Sequence, residues 1–111
     1  MTKSPDLGSF LQLDRLVHEP ARLLILSILA GADAVEFRFI ETLSGLSKGN
    51  LSSHMSKLEG AGLIAVDKAF RGKLPVTTLR LTRAGRLALG DYRQRLADVV
   101  ANIPLTPPVK K

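Results

Sequence analysis

Between Pro20 and Gly31 the chain carries Leu23, Leu24, Ile25, Leu26, Ile28 and Leu29, and from Leu23 to Leu29 Ser27 is the one polar residue. A helix drawn through these positions is apolar around most of its circumference, so it belongs at the centre of a fold with other elements laid around it. Pro20 suits the first helical position, where its missing N–H costs nothing, and Gly31 ends the run. The stretch is too short to cross a bilayer, and nothing at the N-terminus resembles a signal peptide, which points to the cytoplasm. With 111 residues, 45% of them hydrophobic and 23% charged, the chain reads as one folded domain over 1–111 with a single core.

Several function classes fall away on composition. Cysteine is absent, which removes disulfides, thiolate zinc sites and thiol redox sensing. His18 and His54 are the only histidines and leave too few ligands for a transition-metal site; neither metal nor cofactor is expected. No nucleophile is set beside a base and no glycine-rich phosphate loop is present, so the chain does not read as an enzyme; Glu36 and Glu41 read as solvated helix residues.

Around the apolar helix the pattern is mainly α with a small β-hairpin, an α+β fold. Ser4-Pro5-Asp6 and Gly8 make a breaker-rich opening over 1–8, frayed or acting as a cap. Phe10 to Val17 reads as a short helix. Ala34 to Phe37 suits either a short strand or the entry to the next helix, which carries Phe37, Ile40 and Leu43 at helical spacing and ends near Gly45. Ser47 is a natural N-cap for a further helix reaching about Gly60, with Gly60 and Gly62 available for a left-handed exit. Leu63 to Phe70 and Val76 to Leu81 read as strands joined by Arg71-Gly72-Lys73-Leu74-Pro75. Thr82 caps a last helix from Arg83 to about Asn102, and Pro104, Pro107 and Pro108 keep 104–111 a flexible, non-helical tail.

The helix after Ser47 divides its surface sharply. At ~100° per residue, Leu51, Met55 and Leu58 cluster on one side while Gly49, Ser52, Ser53, Ser56 and Lys57 lie around the other. One side docks into a core; the other is small, polar and able to enter a major groove. By itself such a face is simply solvated, but it stands between a short helix and a basic hairpin. Charge reinforces the point: residues 1–62 hold six Lys/Arg against seven Asp/Glu, residues 63–111 ten against three, within a net charge of +6. A positive field of this kind favours a polyanionic partner, nucleic acid before an anionic membrane surface.

Three separated motifs extend the reading: His18-Glu19-Pro20-Ala21-Arg22-Leu23-Leu24-Ile25-Leu26, Leu46-Ser47-Lys48-Gly49-Asn50-Leu51-Ser52-Ser53-His54, and Phe70-Arg71-Gly72-Lys73-Leu74-Pro75-Val76-Thr77-Thr78. Over roughly residues 13–90 the chain resembles the MarR/ArsR-type winged helix-turn-helix transcriptional regulators of bacteria, and in particular their small members. The resemblance implies a winged-helix core over 13–82, a dimeric DNA-binding regulator, its third helix in the major groove, and its hairpin wing on the backbone or in the adjacent minor groove.

Helix geometry agrees with that placement, since the first turns of a groove-bound helix lie nearest the base edges. Ser47, Lys48, Gly49, Asn50, Ser52 and Ser53 then face DNA, with Asn50 suited to an adenine edge, Ser47 and Ser52 to phosphates, and Gly49 to close approach. Lys57 suits a phosphate. His54 sits about 60° from the apolar centre, at the core's edge or on a phosphate, and His18 reads as a structural cap. On the hairpin, Arg71, Gly72 and Lys73 form a tip with two cations and no acid, with Lys68 and Arg80 behind them. Such a tip either prevents sheet-to-sheet association or reaches phosphates and a narrow minor groove, and the two roles are compatible.

Leu89, Tyr92, Leu96, Val99 and Ile103 recur at the alternation of a coiled-coil seam, so the helix over 83–103 is expected to pair with a second subunit, helped by Phe10, Leu11 and the neighbouring Leu7 and Leu13. A two-fold homodimer then faces a roughly palindromic operator of double-stranded DNA. The competing reading is a winged-helix module that binds protein, which calls for exposed apolar residues on the polar helix face. A small-molecule effector is compatible with the family, but no polar cluster marks its pocket.

Overall fold

The computed structural model describes residues 7–109; most of the opening expected to be frayed and the last two positions of the tail lie outside that range. A 3₁₀ helix, Leu7–Gln12, precedes α1 (Pro20–Ala30), β1 (Val35–Glu36), α2 (Phe37–Ser44), α3 (Lys48–Gly60), β2 (Ile64–Arg71), β3 (Leu74–Leu81) and α4 (Arg83–Ala101). The strands form one antiparallel sheet in the order β1-β3-β2. Ile64 pairs with Leu81 and Arg71 with Leu74 along the hairpin, while Val35 and Glu36 pair with Leu79 and Thr78.

The apolar helix sits where its composition requires. Ile25, Leu26 and Leu29 of α1 are fully enclosed together with Val17, Ile40, Leu51, Leu58 and Leu79. Its burial is not complete, however: Leu24 and Ser27 face outward, because the elements around α1 leave one strip of it uncovered. Glu19 caps α1, its carboxylate accepting from the Arg22 N–H at 2.8 Å. No charged residue is buried among the described residues, so the core is held mainly by apolar packing.

Two expectations change. The helix read over Phe10 to Val17 is instead the 3₁₀ segment ending at Gln12, followed by a turn at Asp14 whose carboxylate accepts from the Leu16 and Val17 N–H groups at 2.9 and 3.4 Å. A short acidic side chain that bonds its own backbone in this way competes with helix continuation. The Ala34–Phe37 ambiguity resolves as both alternatives: two residues pair as β1 before α2 begins.

The stripe on α4 is also used differently from the expectation of a seam between subunits. Tyr92 and Val99 are buried within the chain, and Leu89 and Leu96 pack on the same core. The Tyr92 hydroxyl lies 2.6 Å from His18 Nδ1, and Arg95 Nη1 donates to Gln12 Oε1 at 3.0 Å, tying α4 over the start of the chain. Burial raises the pKa of Tyr92. α4 thus packs over the core at His18. Of the residues expected at a dimer contact, Phe10, Leu11 and Ile103 stay exposed.

The junction between hairpin and α4 is tight. Thr82 Oγ1 donates to the Gly62 carbonyl at 2.6 Å and accepts from the Gly85 N–H at 2.9 Å, and the Thr82 N–H reaches the Leu63 carbonyl at 3.1 Å. Gly62 supplies the left-handed exit from α3 at φ 77°. A Cβ on Gly85 would stand 2.0 Å from the Leu63 oxygen, whereas one on Gly90 would meet nothing within 4 Å. Gly85→Ala is therefore expected to destabilise the protein by about 1–3 kcal/mol or more. Gly90→Ala should instead add about 0.5–1 kcal/mol from helix propensity. Chemical denaturation of the two variants checks the pair.

Candidate nucleic-acid interface

The interface candidate is built on how α3 is held. Gly45 ends α2 in the left-handed region at φ 72°, and the Leu46 N–H bonds Ser44 Oγ at 3.2 Å. Ser47 then caps α3, its Oγ accepting from the Asn50 N–H at 3.1 Å. Leu51, Met55 and Leu58 are buried, as their spacing requires. The remaining surface divides accordingly: Ser47, Lys48, Gly49, Asn50, Ser53, Ser56 and Lys57 are exposed, and Ser52 and His54 are half-buried at the two edges of the apolar stripe. The first turn holds no acidic residue, so the positive end of the helix dipole stays uncompensated there.

Beside α3 stands the hairpin, its tip turned by Gly72 at φ 66°. Arg71, Gly72 and Lys73 are exposed. Lys48 at the start of α3 and Arg71 line one open cleft of about 490 Å³ with Glu36, Arg38 and Glu41 of the α2 region and the apolar edge from Leu74 to Val76. The chain thus brings the start of the polar helix and the hairpin cations to one side of the molecule.

The tip is not free of acid, contrary to expectation. Arg71 Nη2 pairs with Glu36 Oε1, because β1 adds a third strand and sets Glu36 beside the hairpin. Glu36 occupies the N-cap position of α2 but makes no side-chain cap bond there; its carboxylate goes to the guanidinium instead. Behind the tip, Arg80 Nε lies 3.7 Å from Asp67 Oδ2. Among the described residues, Lys48, Lys57, Lys68 and Lys73 have no salt-bridge partner. Both hairpin pairs are exposed, so each adds at most about 1 kcal/mol to stability. Phe70, next to the tip, is 75% exposed, an apolar surface that the sequence reading did not single out.

His54 is engaged at the core's edge rather than left open. Its Nδ1 lies 3.3 Å from Arg22 Nη1 and 3.6 Å from Glu19 Oε2. Partial burial works against ionisation of Glu19, but the backbone N–H groups of Arg22 and Ala21 and the charges of His54 and Arg22 outweigh it, holding its pKa below the ordinary value. Glu19 and Arg22 were not expected at this face; the first motif quoted above contains both, yet nothing local in it points to His54, 32 residues away from Arg22.

A model of the winged helix DNA-binding domain matches residues 21–100. The chain belongs to the winged-helix DNA-binding domain family. Its three helices, hairpin wing and closing helix are that fold. An uncharacterized protein of Methanocaldococcus jannaschii is 29% identical over 90 residues, spanning 80% of this chain and 97% of its own length. Among solved structures, a transcriptional regulator homologue protein from Pyrococcus horikoshii is similar with a TM-score of 0.80 at 25% identity, over 86% of this chain and 96% of that one. A MarR-family transcriptional regulator from Silicibacter pomeroyi has the same fold at a TM-score of 0.57 and 21% identity, with 78% of this chain matched to 56% of that one. The winged-helix chain is accordingly a DNA-binding module and not an enzyme. No described helix is long and apolar enough to cross a membrane.

A carboxylate whose pKa is lowered by folding stabilises the native state above its unfolded pKa and ceases to do so as pH falls through its folded pKa. Glu19→Gln should therefore lower the melting temperature at neutral pH, with the gap to wild type closing as the solution is acidified below the carboxylate range. Thermal denaturation across that range tests this.

Proposed function

We propose that this winged-helix protein is a sequence-specific transcriptional regulator that binds double-stranded DNA as a homodimer on a pseudo-palindromic operator in the cytoplasm. The observation carrying this reading is the exposed polar face of α3, capped by Ser47 and flanked by the wing cations. A helix fits the major groove with its first turns nearest the bases. Asn50 then reads an adenine edge, Gly49 and Ser53 allow close approach, and Ser47, Ser52, Lys48 and Lys57 meet the backbone. Gly72 turns Arg71 and Lys73 toward flanking phosphates, with the Glu36 carboxylate exchanged for phosphate at Arg71.

Pairing of two protomers draws support from apolar surface that one chain leaves open. Phe10 and Leu11 on the 3₁₀ helix, Val100 at the end of α4 and Ile103 just beyond it remain exposed. In this arrangement Tyr92 and Val99, with Leu89 and Leu96, support the contact from within the protomer.

Selection of bound fragments from genomic DNA, followed by affinity measurements over a range of salt, tests the reading. Asn50→Ala should cost about 1–3 kcal/mol and relax preference at one base position, whereas Arg71→Ala should weaken all duplexes and lower the salt slope by about one. Salt-independent association with duplex, or a monomer under sedimentation both alone and on the selected fragment, would overturn the corresponding half of the proposal.

A further inference from the structure

We propose that Glu19, Arg22 and His54 form a clamp that fixes the rotation of the recognition helix, which makes His54 a positioning residue for base reading rather than a contact to DNA; the consequence for DNA rests on the function proposed above. The apolar side of α3 consists of Leu51, Met55 and Leu58, and apolar packing is non-directional. Burial of this stripe sets which side of α3 faces inward, and a directional polar bond narrows the rotational freedom that is left. Among the described residues, the contact of His54 with Arg22 and Glu19 is the one polar side-chain tie between α3 and another element.

That tie is well anchored at its far end. Arg22 Nε donates to the Leu16 carbonyl at 2.6 Å and Nη2 to the Arg15 carbonyl at 3.4 Å, so the guanidinium is fixed to the segment before α1. Glu19 is held by the Arg22 N–H as the cap of α1. The Arg22 side chain is only 12% exposed and that of His54 20%. A guanidinium has donors only, so a neutral imidazole accepts from Arg22 at Nδ1, whereas a charged one turns its Nδ1–H to the Glu19 carboxylate 3.6 Å away; either form ties α3 to the start of α1.

The position of the tie explains why it matters for reading. His54 follows Asn50 by one helical turn, about 40° away around the helix, on the same edge of the polar face. A rotation of about 20° would move a side-chain end at a radius of ~6 Å by ~2 Å, well beyond what a hydrogen bond to a base edge tolerates. The clamp therefore holds Asn50 in register with the bases while leaving backbone contacts, which depend on charge, largely unaffected.

Asparagine and leucine at position 54 separate this role from its alternatives. The Asn Oδ1 falls near the place of the imidazole Nδ1 and accepts from Arg22; leucine fills the space and accepts nothing. Affinities for the selected operator and for a scrambled duplex are measured at one salt concentration. His54→Leu is expected to lower the operator-to-scrambled ratio by about tenfold or more, the scale of one lost base contact, with scrambled-duplex affinity unchanged and His54→Asn close to wild type. Equal losses on both duplexes would assign His54 to a phosphate, and an unchanged ratio in His54→Leu would remove the clamp; either result overturns the proposal. Backbone amide shifts of residues 47–57 in the DNA-free protein give a second readout: displacement through α3 in His54→Leu, restored in His54→Asn, supports the clamp, and unmoved shifts defeat it. Should the wild-type protein fail to discriminate between duplexes, the regulator reading fails while the shifts still decide whether the clamp exists.

Discussion

Enclosure of α1 is the constraint from which the rest of the structure follows. Ile25, Leu26 and Leu29 cannot face water without large cost, and a chain of this length has few elements with which to cover them. α2, α3 and the hairpin take up three sides through Ile40, Leu51, Leu58 and Leu79, and α4 closes another with Tyr92 and Val99. Because α3 gives its apolar stripe to this task, its opposite face must be polar and must point outward. The exposed polar face of α3 is thus a by-product of core formation: the residues that satisfy α1 also determine which residues of α3 remain outside.

Much of this was legible in the sequence because the signals are local. Pro20 and Gly31, Ser47 and Thr82 mark helix ends through interactions within a few residues of themselves, and the structure shows each acting as its chemistry requires. The burial of Leu51, Met55 and Leu58 follows from spacing alone. What escaped depends on residues distant in the chain. Periodicity identifies Leu89, Tyr92, Leu96 and Val99 as an apolar stripe but cannot say whether the surface opposite it belongs to the same protomer. Asp14 is the local exception: it ends the expected helix through side-chain bonds to Leu16 and Val17 that a hydrophobic pattern does not register.

The polar site shows the same division. Exposure of Ser47 to Asn50 and of the hairpin tip could be read from the sequence, while the pairings of Arg71 with Glu36 and of His54 with Glu19 and Arg22 could not. Each of these contacts joins segments that only the folded sheet or the α1–α3 packing brings together. The result is a positive surface of two kinds. Lys48, Lys57 and Lys73 carry charge without a protein partner, whereas Arg71 enters any encounter already neutralised, so a phosphate at that point must compete with a carboxylate while the lysines simply shed counterions.

The close passage of Gly85 over the Leu63 carbonyl carries a geometric consequence of its own. There the start of α4 rests on the Leu63 main chain with the Leu81 side chain beside it, and the Thr82 hydroxyl pins the same crossing from both directions. The bearing of α4 relative to the wing is consequently set at this crossing largely by main-chain contact. Any body that grips the far end of α4 acts on a rigid lever, and the angle at which the wing is presented is set at that crossing before the partner arrives.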